Sequence, residues 1–481
     1  MNAVEFKKHG KALIDFLSDY IENIETRNVL PSVEPGFLSK FIKSECSEKP
    51  EPFEDIIKDF KSNFMDGITH EHHPHYNAYF SSGLSYPGTL GELVCAGLSV
   101  AVFNWINCPA GTELENIVLD WYAKAMGLSE DFISTSSVGG GVLQNSASEC
   151  ILISMIVARS KAIKELKGTS DVHESSFLQN LVAYGSKHAN CALEKAAKVS
   201  LTKIRMIDVD DNGKINVDLL KEAIVNDLKA GLTPYYVMAT LGTTGTTAFD
   251  NVFEIGRFCK NIPSIWFHID GAYGLNAFIL PELRKYGKGM EMADSLNVNA
   301  CKMLLVNFDS SAMWVKNLKY LDNALGIKPV YLTHQHQNTN GVIDYRNYGI
   351  SLGRRLRALK LWFVFRSYGL TGLRSHVRNI FNLAKKFEAL VRKDNRFEVV
   401  NEVNLGLVNF RLRCSDVKTK ELLAEITRSR KLFMVPSEIN GKFNIRYCVI
   451  AERMEERHIQ EAWNLIQQTA TTILYTPCSN I

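Results

Sequence analysis

Ser264-Ile265-Trp266-Phe267-His268-Ile269-Asp270-Gly271-Ala272-Tyr273 reads as a buried strand that ends in a carboxylate followed by two small residues. In parallel α/β sheets ligands sit beyond the C-terminal ends of the strands, which aims Asp270 at that crevice. A carboxylate buried there needs a cationic partner, and a protonated ring nitrogen would serve. Gly271 and Ala272 are small enough to let a flat ring lie against the backbone. Taken alone, the same Asp could equally cap a following helix.

On both sides of this stretch, from about 85 to 360, helical patterns alternate with short apolar runs. Candidate strands are 181–184, 203–209, 235–241, 265–270 and 304–308, and candidate helices 145–167, 192–199, 217–230 and 252–260. That alternation predicts a mainly parallel sheet covered by helices. Residues 1–24 space Leu13, Phe16, Leu17, Tyr20, Ile21 and Ile24 as one apolar helix face. Residues 30–80 read as a linking segment with short helices. After 350 come two helical patterns broken at Gly369, antiparallel candidates 397–401, 405–413 and 443–450, and a final helix near 455–475. This change of rhythm predicts a smaller α+β C-terminal domain.

Two further features of the sheet region belong with Asp270. Gly139-Gly140-Gly141-Val-Leu-Gln-Asn145-Ser146-Ala147-Ser148 leads into a helix whose first-turn amides and dipole suit a phosphate; an ordinary glycine loop with a Ser N-cap gives the same letters. Asn299-Ala300-Cys301-Lys302 precedes the apolar run Met303–Val306. A lysine entering a buried strand is costly unless its amine is consumed chemically, as in an imine, although long amines also snorkel to water.

The bulk composition excludes several classes of function. Apolar residues make up 46% of 481, and 55 basic against 52 acidic residues leave +3. No basic run suggests nucleic acid, so a small-molecule substrate fits better. Ten cysteines are scattered without a Cys-x-x-Cys pair, as in reduced, cytosolic chains. Neither a signal-peptide core nor about 20 consecutive apolar residues is present, so the expectation is a cytoplasmic protein without a membrane anchor. His70-Glu71-His72-His73-Pro74-His75 looks metal-like, but Pro74 occupies the i+4 place that a helical zinc pair needs, so a polar loop is the expectation. Asp208-Val-Asp210-Asp211-Asn212-Gly213 opens like a calcium loop, yet its twelfth position is Leu219, which predicts a turn instead.

These residues closely resemble the aromatic-L-amino-acid decarboxylase family, among the fold-type I pyridoxal-phosphate enzymes. The likeness runs from the first helix to about 475 through Tyr-Pro-x-x-Leu near 86, Ser-Ala-Ser-Glu at 146–149, Ala-Thr-Leu-Gly-Thr-Thr at 239–244, Leu-Val-Asn-Phe-Asp at 305–309 and Leu-Gly-Arg-Arg at 352–355. It implies a homodimer with an N-terminal helical dimerisation segment (1–84), a large cofactor-binding domain (85–358) and a small α+β domain (359–481). By resemblance Ala147, Ser148 and Asn299 hold the phosphate, Thr244 lies beside the ring, and Asp270 pairs with the pyridine nitrogen. Ala272 backs one ring face and Lys302 forms the imine with pyridoxal 5'-phosphate. Tyr331 matches the tyrosine of a mobile loop that protonates the carbanion. Tyr79, Phe80, Ser82, Ala101 and Phe103 fall where the family builds its aromatic pocket, the last two supplied across the dimer interface, and Gly353 matches the aromatic-selective members.

The departures from the family pattern are chemically specific. Where typical decarboxylases place a cofactor-stacking His, this chain has His188-Ala189-Asn190, the mark of the insect 3,4-dihydroxyphenylacetaldehyde synthases. Imidazole stacks and relays a proton at neutral pH; a carboxamide does neither well. The expectation is that dioxygen, as co-substrate, intercepts the carbanion and yields an aldehyde, CO2, ammonia and peroxide, in a role such as cuticle formation. Simple decarboxylation to an amine is the alternative, and a degenerate binding paralogue a further one. Ala300-Cys301 replaces the usual Pro-His before the lysine, Met303 a Trp after it, and Glu71 a Trp of the N-terminal segment.

Overall fold

The computed structural model describes residues 1–337, 339 and 341–475. Its central sheet is built from β1 (Gly140–Gln144), β2 (Leu181–Ser186), β3 (Lys203–Ile207), β4 (Thr233–Thr240), β5 (Trp266–Asp270), β6 (Ser295–Val298) and β7 (Ser311–Val315). The spatial order is β1-β7-β6-β5-β4-β2-β3. β2, β3, β4, β5 and β6 pair in parallel, and β7 runs against both of its neighbours.

Apart from the edge strand β3, the strands are buried on both faces because successive side chains enter different cores. Leu181, Ala183, Tyr236 and Met238 pack with Cys150, Ile151 and Met155 of the helix Ala147–Lys167. Val182, Tyr184, Val237 and Ala239 face the opposite layer, with Leu119 and Tyr122 of the helix Pro109–Met126 and Leu361 and Val364 of the long helix Ala358–Lys393. That long helix is interrupted at Gly369 (φ 59°), as the sequence predicts.

Two expectations are corrected. The run 304–308 is not a strand, although Leu304, Leu305 and Val306 are buried: Leu305 takes a left-handed φ of 60°, which breaks an extended path. Lys302 therefore stands on the short turn Ala300–Lys302 between β6 and β7, not at a strand entrance. Gly140 and Gly141 are likewise not a phosphate loop but part of β1, where a Cβ at Gly141 would come 2.8 Å from Trp314 Nε1. Their smallness serves packing.

A second sheet, order β10-β11-β9-β8, is antiparallel throughout: β8 (Phe397–Val399), β9 (Leu407–Leu412), β10 (Val435–Ile439) and β11 (Lys442–Cys448). The helices Asp416–Ser429 and Glu456–Tyr475 accompany it. At the other terminus the helix Ala3–Glu22 begins with a capping box between Asn2 and Glu5. The histidine-rich segment is less solvated than its letters suggest. His70 and His73 are buried, Tyr20 Oη bonds His70 Nδ1 (2.8 Å), and His75 Nε2 reaches Glu461 of the last helix (3.2 Å). Asp210 Oδ1 accepts the amides of Asn212 and Lys214 in a tight turn. Among the described residues no helix is long and apolar enough to cross a membrane.

Candidate active site

The parallel register sets three polar side chains in a row at the C-terminal strand ends: Thr240 on β4, Asp270 on β5 and Asn297 on β6. Asp270 and Thr240 open onto a cavity of about 150 Å³, whose wall also includes Phe80, Ala147, Ser148, Asn190, Thr244, Ala272, Asn299 and Lys302. Segments separated by more than 200 residues in sequence thus meet at the edge expected of a parallel sheet.

Asp270 is held rigidly. Its Oδ1 accepts the amide of Ala272 (3.0 Å) and Asn297 Nδ2 (3.2 Å). Asn297 Oδ1 in turn meets His268 Nε2 (2.9 Å), and His268 Nδ1 meets Ser295 Oγ (2.7 Å). Burial drives the His268 pKa down to about 4, so the imidazole beneath Asp270 is neutral at physiological pH. Asn297 and His268 were not singled out in the sequence; they become visible only when the β5–β6 register brings alternate residues of both strands to one side.

Lys302 is packed among protein atoms while part of its side chain stays accessible from the cavity. Its Nζ stands 6.0 Å from the Phe80 ring centroid, and burial lowers its pKa despite the attraction of Asp270. A lysine pushed toward its neutral form is a better nucleophile. Phe80 is stacked on Tyr273 at 3.7 Å. Opposite, the helix Ala147–Lys167 starts at the N-cap Ser146, whose Oγ accepts Glu149 N (3.2 Å), so its first turn opens onto the cavity at Ala147 and Ser148. Asn299 Oδ1 accepts Ser311 Oγ (2.6 Å), which assigns its amide nitrogen to the remaining, cavity side.

Asn190 has both ends of its carboxamide engaged: Nδ2 donates to Thr244 Oγ1 (3.1 Å) and Oδ1 accepts Ala192 N (3.0 Å). Among the described residues no histidine lines the cavity. The other predicted residues lie elsewhere in the single chain. Tyr331 is 77% exposed on the surface, Tyr79, Ala101 and Gly353 are exposed, and Ser82 and Phe103 are half-buried without reaching the cavity wall. The donor set fits a flat group with an anionic end, a ring nitrogen able to carry a proton, and a carbonyl carbon. The helix start and Asn299 suit the first, Asp270 the second and Lys302 the third; the buried Thr240 Oγ1 still lacks a partner in this wall.

The family model described as "Pyridoxal-dependent decarboxylase conserved domain" matches residues 35–413. The chain is 44% identical over 476 residues to the aromatic-L-amino-acid decarboxylase of Cavia porcellus, which covers 98% of this chain and 99% of that one. It is 41% identical over 476 residues to the 3,4-dihydroxyphenylacetaldehyde synthase of Aedes aegypti, covering 98% and 91%. Among solved structures, Catharanthus roseus tryptophan decarboxylase in complex with L-tryptophan superposes with a TM-score of 0.92 at 36% identity, covering 98% and 99%.

Proposed function

Because the chain belongs to the pyridoxal-dependent decarboxylase family, as an aromatic amino acid decarboxylase type of enzyme, we propose that it converts L-DOPA, dioxygen and water into 3,4-dihydroxyphenylacetaldehyde, CO2, ammonia and hydrogen peroxide. The observation that carries this reading is Asn190, a carboxamide fixed at both ends on the wall of a cavity that no described histidine lines.

Pyridoxal phosphate, when bound, withdraws electrons from the substrate's Cα. Ala147, Ser148 and Asn299 would hold its phosphate, Thr244 and Ala272 would contact its ring, and Lys302 would take its carbonyl carbon. Asp270 would keep the ring nitrogen protonated, and the Asn297–His268–Ser295 chain fixes the carboxylate for that task. Asn190 orients Thr244 but has no proton that titrates near neutrality. With that relay missing, protonation at Cα depends on the Tyr331 hydroxyl alone, and oxygen competes with it.

The chain acts as a homodimer in this reading. A cavity of about 150 Å³ is smaller than the roughly 300–1,000 Å³ of ordinary ligand sites, and Ala101, Phe103, Tyr331 and Gly353 are left on the surface. Ala101 and the half-buried Phe103 complete the site of a second copy. Leu90, Leu93, Val94 and Leu98 of the helix Tyr86–Leu98 form an exposed apolar strip suited to that contact. Phe80 walls the cavity where the aromatic ring would enter, and Tyr79 and Ser82, its near neighbours in sequence, would complete that approach, the Ser82 hydroxyl being suited to a catechol.

A second reading, simple decarboxylation to dopamine, is favoured by the 44% identity to an aromatic-L-amino-acid decarboxylase. Incubating the pure protein with L-DOPA in air separates the two. The expected result is aldehyde with oxygen uptake and about one peroxide per CO2; amine without peroxide contradicts the synthase reading.

A further inference from the structure

Arg446 stands in β11, with Val435 and Asn409 as its cross-strand neighbours. On this sheet Ile445, Tyr447, Val408 and Phe410 enter the hydrophobic core, so by strand alternation Arg446, Asn444 and Asn409 share the other face. That face meets the large sheet's loops: Asn409 Nδ2 donates to Gly245 O (2.8 Å), next to Thr244. The Arg446 guanidinium carbon lies 5.0 Å from the Phe80 ring centroid, the same ring that Lys302 approaches and that walls the cavity.

Arg446 is 5% exposed, and its buried Nε and Nη2 have no hydrogen-bond partner among the described residues. Arg354, Arg357 and Arg411 are equally buried, and each pairs with a carboxylate: Glu115, Asp309 and Asp416. Burial lowers the Arg446 pKa, and the groups that oppose it are Cys448, Tyr273 and Tyr79, none of them a carboxylate. Asn409 Oδ1 and Asn444 Oδ1 are buried without partners as well. A desolvated cation lacking a fixed counter-charge is costly to keep, so such a group calls for an occupant that arrives with negative charge.

We propose that Arg446 is a substrate-binding residue that pairs with the α-carboxylate of the incoming aromatic amino acid. This rests on the reading that the cavity takes such a substrate with pyridoxal phosphate. Charge matching selects the carboxylate. The Lys302 amine and the Asp270 carboxylate are matched by the cofactor, and the substrate amine takes the place of Lys302. The aromatic ring is uncharged, which leaves the carboxylate as the substrate's one unmatched charge. Because the pair forms before CO2 leaves and dissolves as it leaves, Arg446 contributes to binding and orientation, hence to KM more than to kcat.

The test is a titration of the holoenzyme with L-DOPA, with L-DOPA methyl ester and with dopamine, following the cofactor's absorbance in a stopped flow before turnover. Arg446→Gln is expected to weaken L-DOPA binding about 10- to 100-fold, while the two ligands without a carboxylate shift less than about twofold. Arg446→Lys should restore part of the loss, and it carries the same three-ligand comparison if the Gln variant does not fold. Equal shifts for all three ligands would mean that Arg446 only props Phe80, and no shift would mean that water satisfies it; either overturns the proposal. If the unaltered protein binds none of the three, the reading of the cavity fails, and this assignment falls with it.

Discussion

At the scale of single residues, the chemistry turns on which side chains can hold or give up a proton. Asn190 cannot, since a carboxamide does not titrate near neutrality, and its two ends are bonded to Thr244 and Ala192. Asn190→His should therefore raise the ratio of amine to aldehyde about tenfold or more, read by chromatography of the products with peroxide measured alongside. An unchanged ratio would separate this position from the choice of outcome. Asp270→Asn keeps a hydrogen-bonding group but loses the charge proposed to face the ring nitrogen, and kcat should fall about 100-fold or more with the fold intact. Asp270 and Lys302 were legible in the sequence because each is a charged residue set in an otherwise apolar context. Asn297, His268 and Arg446 were not. A polar residue inside a strand acquires its meaning from the neighbouring strand, and no local pattern reports that register.

At the scale of elements, runs such as Tyr235–Ala239 and Trp266–Ile269 announced β4 and β5 through their β-branched and aromatic residues. Leu304–Val306, at the head of the run 304–308, is as apolar and as buried, but burial does not fix backbone direction, and Leu305 turns it. β1 was hidden by its glycines, and β10 by Pro436, a residue tolerated there because β10 is an edge strand. The helix Pro109–Met126 is tied to β1 through buried Glu115, which accepts Leu143 N (2.8 Å) and Arg354 Nη2 (2.6 Å). Arg354→Met would strand that carboxylate, and a loss of about 3–5 kcal/mol in denaturant unfolding is expected. The segment joining the N-terminal helix to the last helix should be acid-sensitive. Burial lowers the His73 pKa to about 4, and that of His75 falls for the same reason. Between about pH 4 and 6.5 the unfolded chain thus binds more protons than the folded one, and stability declines as pH falls through that window. His73→Gln should flatten this slope in pH-dependent thermal melts; an unaltered slope would show that His73 does not contribute to it.

At the scale of the whole molecule, two sheets of different construction meet over one crevice. The parallel sheet supplies Asp270 and Thr240, the turn after β6 supplies Lys302, and the antiparallel sheet brings Arg446 up to Phe80. The crevice was predictable from strand topology, whereas the contribution of the small sheet was not, because its polar face reads as solvent-facing until the two parts are placed together. A homodimer is expected in solution by light scattering, and Leu93→Glu, which places a charge on a 50%-exposed apolar side chain, should shift it toward monomer and lower activity together. Wild-type mass for the variant would place the contact elsewhere. Underlying every step is the proposal that Lys302 bears the cofactor opposite Asp270. Treating the cofactor-loaded protein with borohydride, digesting it and weighing the peptides tests this directly. The expected result is one reduced cofactor attached at Lys302 and none on Lys302→Ala; attachment at another lysine, or none on the unaltered chain, would contradict it.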